Sequence, residues 1–288
     1  MIGVFDSGFG GLTVLDALTR RLPTYDYVYL GDSARAPYGG RSFDTILEFT
    51  REAVEHLFAA GCPLVILACN TASARALRTL QQDYLPRYRP DRRLLGVVRP
   101  SAEALAGLPP TATAGDTSVG RPTGTVAVLG TLGTVASNSY VLELAHLAPG
   151  LRVVQRACPL WVPLVEAGAL DGPGVDHFIR QGTDPLFLGP GAPRPDRILL
   201  ACTHYPLLLP AIRAAGPPST DILVQGDLVA DRLADWLHRH PDEEARLGRG
   251  GTRQHLTTDD PAWFATQGSR LVGHEIRAEK IRLLPVNP

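Results

Sequence analysis

Short apolar runs recur along this 288-residue chain and alternate with longer stretches of helical period. Residues 2–5, 27–30, 64–68, 94–98, 125–129, 152–155, 197–201 and 222–225 have the length and near-continuous hydrophobicity of strands buried on both faces. Between them, residues 12–22, 42–60 and 71–84 predict helices. In the second of these, Phe43, Ile46, Leu47, Val54, Leu57 and Phe58 form an apolar stripe, and Gly61 is placed to end it. Such alternation implies parallel α/β sheets. The length suits one large domain or two modest ones.

The pattern repeats. Val65-Ile66-Leu67-Ala68-Cys69-Asn70-Thr71 resembles Leu199-Leu200-Ala201-Cys202-Thr203-His204, at an offset of 133 residues. Val4-Phe5-Asp6-Ser7-Gly8-Phe9-Gly10-Gly11 resembles Val128-Leu129-Gly130-Thr131-Leu132-Gly133-Thr134, at an offset of 124. Near-constant spacing favours duplication, with one cysteine in each half at the end of an equivalent strand. Segments 107–124, 189–195 and 241–251 are polar or rich in Gly and Pro, and read as surface connections.

Chemistry-bearing residues gather just after the expected strands: Asp6-Ser7, Asp32-Ser33, Cys69-Asn70-Thr71 and Cys202-Thr203-His204. Ligands of open α/β sheets bind at the carboxyl ends of strands, so these groups should converge if the strands are neighbours. Cys69 directly precedes an expected helix, whose free N–H groups and dipole favour a thiolate. Cys202 has the matching place, with His204 two residues on and Pro206 suited to a first helical turn. A lone buried cysteine is ordinarily a small hydrophobe. The repeated setting lifts these two above that reading, whereas Cys62 and Cys158 lack it and read as structural.

The Asp6–Gly11 turn can cradle an anion, but by itself it reads better as a tight strand–helix turn with an Asp cap. It is no P-loop, and Thr13 stands where a dinucleotide fingerprint needs its third glycine. Taken singly, His204 reads as a cap or core residue, Glu166 as a surface helix position, and Tyr38-Gly39 as part of a strand–helix turn.

Composition narrows the classes. A formal net charge of −1 leaves no footprint for nucleic acid or an acidic membrane. The only lysine is Lys280, which disfavours a Schiff-base cofactor such as pyridoxal phosphate. Four separated cysteines without a C-x-x-C pair imply neither a disulfide framework nor a metal site. The chain starts on a strand pattern, and its longest apolar run, residues 63–69, is far too short to span a bilayer; a cytoplasmic protein is expected.

Taken together, several strings resemble the glutamate racemase family. They are Asp6-Ser7-Gly8-Phe9-Gly10-Gly11, Gly31-Asp32-Ser33-Ala34-Arg35-Ala36-Pro37-Tyr38-Gly39 and Ala68-Cys69-Asn70-Thr71-Ala72-Ser73, followed by Gly130-Thr131-Leu132-Gly133-Thr134. Cys158-Pro159-Leu160-Trp161-Val162-Pro163-Leu164-Val165-Glu166, Cys202-Thr203-His204-Tyr205-Pro206 and Thr258-Asp259-Asp260-Pro261 complete the set in family order. Each string is weak alone; the set covers nearly the whole chain.

The resemblance implies two similar open parallel-sheet α/β domains related by pseudo-symmetry, with an active site in the cleft between them. Residues 1–97 plus 213–288 would form the first and residues 98–212 the second. It implies racemisation of glutamate without a cofactor or metal, supplying D-glutamate for peptidoglycan, in a homodimer. Cys69 and Cys202 would flank the substrate α-carbon, Cys69 acting on D-glutamate and Cys202 on L-glutamate. Asp6 would assist Cys69, and His204 would assist Cys202 with Glu166 nearby. Ser7, Tyr38, Gly39, Asn70, Thr71, Thr203 and His204 would hold the carboxylates and ammonium together with Asp6, and Asp32 is a lesser candidate.

Two departures stand out: Arg99 precedes Pro100 where the family often has Glu, and segment 107–124 is long. Three other readings stay open, namely an aspartate racemase of the same superfamily, a non-catalytic amino-acid-binding or regulatory protein, and a nucleotide-binding α/β enzyme. The missing lysine and broken glycine fingerprints disfavour the last.

Overall fold

The computed structural model describes residues 1–109 and 122–286, so most of segment 107–124 lies outside the described residues. Ten strands are described: β1 (Ile2–Asp6), β2 (Tyr27–Gly31), β3 (Leu64–Leu67), β4 (Arg93–Gly96), β5 (Gly124–Gly130), β6 (Leu151–Ala157), β7 (Arg197–Ala201), β8 (Asp221–Leu223), β9 (Arg253–Thr257) and β10 (Glu279–Lys280). They form two parallel sheets, one in each of two compact units, Met1–Val97 with Gly226–Pro288 and Val98–Gln225.

The first sheet has the order β10-β9-β2-β1-β3-β4 and the second β6-β5-β7-β8. Within each, four consecutive strands take the same arrangement: the second lies outside the first on one side, the third and fourth on the other. Register agrees as well. Phe5 pairs with Leu67 in the first sheet, and Leu129 pairs with Leu200 in the second, residues 124 and 133 positions further on. The offsets between the repeated strings are therefore the offsets between equivalent strands.

The eight expected strands form, with ends shifted by one or two residues. Residues 98 and 225 begin helices instead of ending strands. Complete burial is seen in β1, β2 and β3 but not in β4, β6 or β8, which lie at sheet edges and keep half-exposed positions. Residues 213–225 belong with the second unit, not the first, because β8 pairs with β7. Segment 241–251 is not entirely a connection: Pro241–Glu244 is helical, and Asp26 accepts from Thr252 N at 2.8 Å just beyond it.

Alternation along the first sheet builds a core on each face. Val4, Tyr27, Tyr29 and Ile66 pack among Leu15, Leu18, Val229, Leu233 and Phe264. Phe5, Val28, Leu30 and Leu67 pack among Ile46, Val54, Leu57 and Leu80. In the second unit Leu129, Ile198 and Leu200 meet Trp161, Ile179, Tyr205 and Ile212. Arg99, the sequence departure, bonds Glu103 at 2.7 Å and Glu143 at 2.6 Å, joining the helix Val98–Leu105 to the helix Ser139–Leu147. Among the described residues, no helix is long and apolar enough to cross a membrane.

Candidate active site

After β1 the chain crosses to one side of the first sheet, and after β3 it crosses to the other. The carboxyl ends of β1 and β3 are thus a topological switch point, where open α/β sheets leave a crevice for ligands. Asp6 ends β1 and Ser7 follows it; Cys69 lies two residues beyond β3. The second sheet repeats the geometry, with Thr131 just after β5 and Cys202 just after β7.

In the first unit Cys69 is buried and is the cap of the helix Asn70–Arg75. Ala72 N donates to its Sγ at 3.5 Å, a bond that strengthens when sulfur carries negative charge. The Cys69 thiol lies 3.5 Å from Ser7 Oγ. Asp6 is buried and accepts from Gly8 N at 3.1 Å, which folds the turn back over the carboxylate. Two close approaches require glycine there. A Cβ on Gly11 would come within 2.5 Å of Asp6 Cβ, and one on Gly31 within 2.4 Å of the Gly8 carbonyl oxygen. Asn70 and Thr71 open the helix and are buried beside the cysteine.

Tyr38 is buried with its ring against Phe5 and Phe49, and its hydroxyl donates to Asp32 Oδ2 at 2.5 Å. Burial, then the Asp32 charge, holds this phenol well above its ordinary range, and Cys69 is close enough to add to the effect. Gly39 follows in a half-buried turn. Asp32 is committed within the protein. Its carboxylate also accepts from Arg35 Nε at 2.7 Å and Thr258 Oγ1 at 2.8 Å, and Arg35 continues to Glu52. That network absorbs the Thr258 string and makes Asp32 a brace for Tyr38.

In the second unit Cys202, Thr203 and His204 are buried in sequence. His204 Nδ1 lies 3.5 Å from Thr203 Oγ1, and its Nε2 lies 3.5 Å from Glu166 Oε1. Glu166, the last residue of the helix Trp161–Glu166, is one-third exposed and so can face a ligand and the imidazole together. The expected match between the two cysteines is incomplete. Cys202 does not cap an α-helix: a 3-10 helix, Tyr205–Leu208, begins three residues later, and Tyr205 N bonds the Cys202 carbonyl at 3.1 Å.

Beneath Cys202, Tyr205 donates to the Cys158 carbonyl at 2.9 Å and packs on Trp161. Burial pushes the Cys158 thiol up to about 12 and the Cys62 thiol up to about 11, so both stay protonated near neutrality. Sequence does not single out Thr131 as a site residue, although the 124-residue offset makes it the equivalent of Ser7 in the second sheet. Its Oγ1 caps the helix Leu132–Ala136 by accepting from Thr134 N at 3.2 Å. Among the described residues, no group of three or more His, Cys, Asp or Glu side chains is disposed to hold a metal ion.

No family model matches the chain. It is 41% identical over 286 residues to a glutamate racemase from Paracoccus denitrificans, covering 96% of this chain and 98% of that one. Among solved structures, a glutamate racemase isoform from Bacillus anthracis aligns with a TM-score of 0.84 at 31% identity, covering 100% of this chain and 98% of that one. The Francisella tularensis glutamate racemase, solved in complex with D-glutamate, aligns with a TM-score of 0.81 at 26% identity, covering 98% of this chain and 97% of that one.

Proposed function

Because the chain belongs to the glutamate racemase family, we propose that it interconverts L- and D-glutamate by a two-thiol mechanism in which Cys69 and Cys202 act on one α-carbon from opposite faces. The observation that carries this reading is the repeated geometry: each unit sets one cysteine at the switch point of its own sheet.

One sulfur, as thiolate, takes the α-proton, leaving the electron pair on carbon; the other, as thiol, returns a proton to the opposite face. Cys69 serves D-glutamate and Cys202 serves L-glutamate. Asp6 assists Cys69, and His204 with Glu166 assists Cys202. Ser7, Tyr38, Gly39, Asn70, Thr71 and Thr203 complete the binding set. Positioned proton transfer contributes about a hundredfold to ten-thousandfold, so donors fixed around the developing carbanion must supply much of the remaining acceleration. The N–H and hydroxyl groups around Cys69 are suited to that task. No bound cofactor enters any step. On this reading the enzyme works in the cytoplasm as a homodimer and supplies D-glutamate for peptidoglycan.

Incubation with single L- or D-amino acids in D₂O tests substrate and mechanism together. Glutamate should exchange its α-hydrogen and racemise; exchange confined to aspartate would reject glutamate as substrate. Cys69→Ser and Cys202→Ser should each abolish racemisation while leaving the folded circular dichroism intact. Wild-type turnover in both single variants would end the two-thiol mechanism.

A further inference from the structure

Tyr29 lies on β2, outside every residue set assigned above, yet its hydroxyl donates to the Gly8 carbonyl at 2.8 Å. We propose that Tyr29 is a positioning residue for the Cys69 half of the reaction, its hydroxyl fixing the Asp6-Ser7-Gly8 turn against the cysteine.

The turn is held on both sides of Ser7. Before Ser7 the Asp6 carbonyl accepts from Asp32 N at 3.0 Å; after it Gly8 N bonds Asp6 Oδ2 and the Gly8 carbonyl takes the Tyr29 proton, so Ser7 sits between restrained peptides, 3.5 Å from the Cys69 sulfur. Tyr29 itself cannot drift: it is fully buried, its ring packs on Phe264 and His255, and it lies within the core that also holds Val4 and Ile66. A buried phenol needs a partner for its hydroxyl, and here the partner is the turn. Burial, then the nearby charges of Asp6 and Cys69, keeps this phenol neutral, hence a donor throughout the working pH range.

The duplicated unit supplies a comparison within the same chain. Tyr29 pairs with Val4, and 124 residues after Val4 the equivalent Val128 pairs with Gln155. Gln155 sends its amide to the Val135 carbonyl and to Asn138 Oδ1, not to the turn after β5. The shared fold therefore does not require a pin at this place. The pin belongs to the half in which Asp6 and Ser7 attend the cysteine.

This inference rests on Cys69 being the group that deprotonates D-glutamate, and the experiment separates the two claims. Tyr29→Phe removes only the hydroxyl. Tyr27→Phe is the control: Tyr27 is also fully buried, two residues earlier on β2, but its hydroxyl bonds Leu18 and Leu22 carbonyls away from the turn. Both variants should melt somewhat lower than wild type. Tyr29→Phe alone should lower kcat about tenfold with KM nearly unchanged. It should also raise the primary deuterium isotope effect from α-deuterated D-glutamate more than from the L form.

Gly31→Ala, which pushes on the Gly8 carbonyl from outside the hydroxyl bond, should give the same kinetic signature. Wild-type kcat and isotope effects in Tyr29→Phe, alongside an inactive Cys69→Ser, would overturn the positioning role and spare the mechanism. An active Cys69→Ser would instead remove the mechanism itself.

Discussion

Around Cys69 the decisive distances are between atoms that bear no reactivity of their own. Gly11 has φ −64° and ψ −9°, a conformation open to any residue, so its backbone does not demand glycine. The demand is for space: an added Cβ would meet Asp6 Cβ at 2.5 Å, Asp6 Cγ at 2.9 Å and the Tyr29 hydroxyl at 3.0 Å. The buried Asp6 side chain on one side and a buried phenol on the other leave little room to yield. Gly11→Ala should cost about 1–3 kcal/mol of stability and reduce turnover by more than the loss of folded protein explains. Gly8→Ala makes a sharp comparison, because nothing lies within 4 Å of the carbon it adds. Its melting temperature should match wild type. Thermal melts and active-site-normalised turnover check both outcomes, and a wild-type Gly11→Ala would show the turn to be looser than its contacts.

At the scale of single elements, Cys69 has two duties, cap and chemistry, which substitution can pull apart. Serine can accept from Ala72 N as the sulfur does, whereas alanine cannot. Cys69→Ser should therefore melt near wild type, Cys69→Ala should lose about 1 kcal/mol, and both should be inactive. Equal melting of the two variants would mean that the 3.5 Å contact contributes nothing to the helix. The helix start was legible because Cys69-Asn70-Thr71 ends an apolar run and opens a helical period, but sequence pointed to Asn70, Thr71 or Ser73 as the cap, not to the sulfur that takes that place. The 3-10 start after Cys202 was not: Pro206 marks a first turn but does not distinguish a 3-10 helix from an α-helix. Central strands β1, β2 and β3 were legible because burial on both faces leaves a nearly continuous apolar run, broken only by Asp6 at the end of β1. β9, with sequence RQHLT, escaped notice because only Leu256 and Thr257 of its five residues are fully buried, and its place beside β2 is a long-range pairing that periodicity does not report. The same reason misassigned residues 213–225, since pairing with β7 decides which unit β8 joins.

For the molecule as a whole, duplication was readable because offsets of 124 and 133 survive in apolar strings, whereas the partners that distinguish the halves are tertiary. Tyr29 over Gly8 links residues that no local pattern joins, and Glu166 beside His204 was implied only by the family resemblance. Both units nevertheless share one electrostatic property, a store of buried protons. Cys62 and Cys158 are raised from 9.0 to about 11 and about 12 by burial. Tyr27, Tyr29, Tyr38, Tyr140 and Tyr205 are all raised above 10.0, again by burial first. Once pH exceeds 9, the unfolded chain sheds protons that the folded chain retains, so stability must fall from there upward. On the acid side the sign reverses. Burial lowers His56 and His255 from 6.5, so below that pH the unfolded chain gains protons that the folded one refuses, and stability falls again. The melting temperature should accordingly be highest between these two limits. In an alkaline titration, tyrosinate absorbance from the five buried phenols should rise together with the loss of helical circular dichroism, not before it. If all eight tyrosines titrated near 10 with the helices intact, the buried phenols of the two units would not be sealed from water.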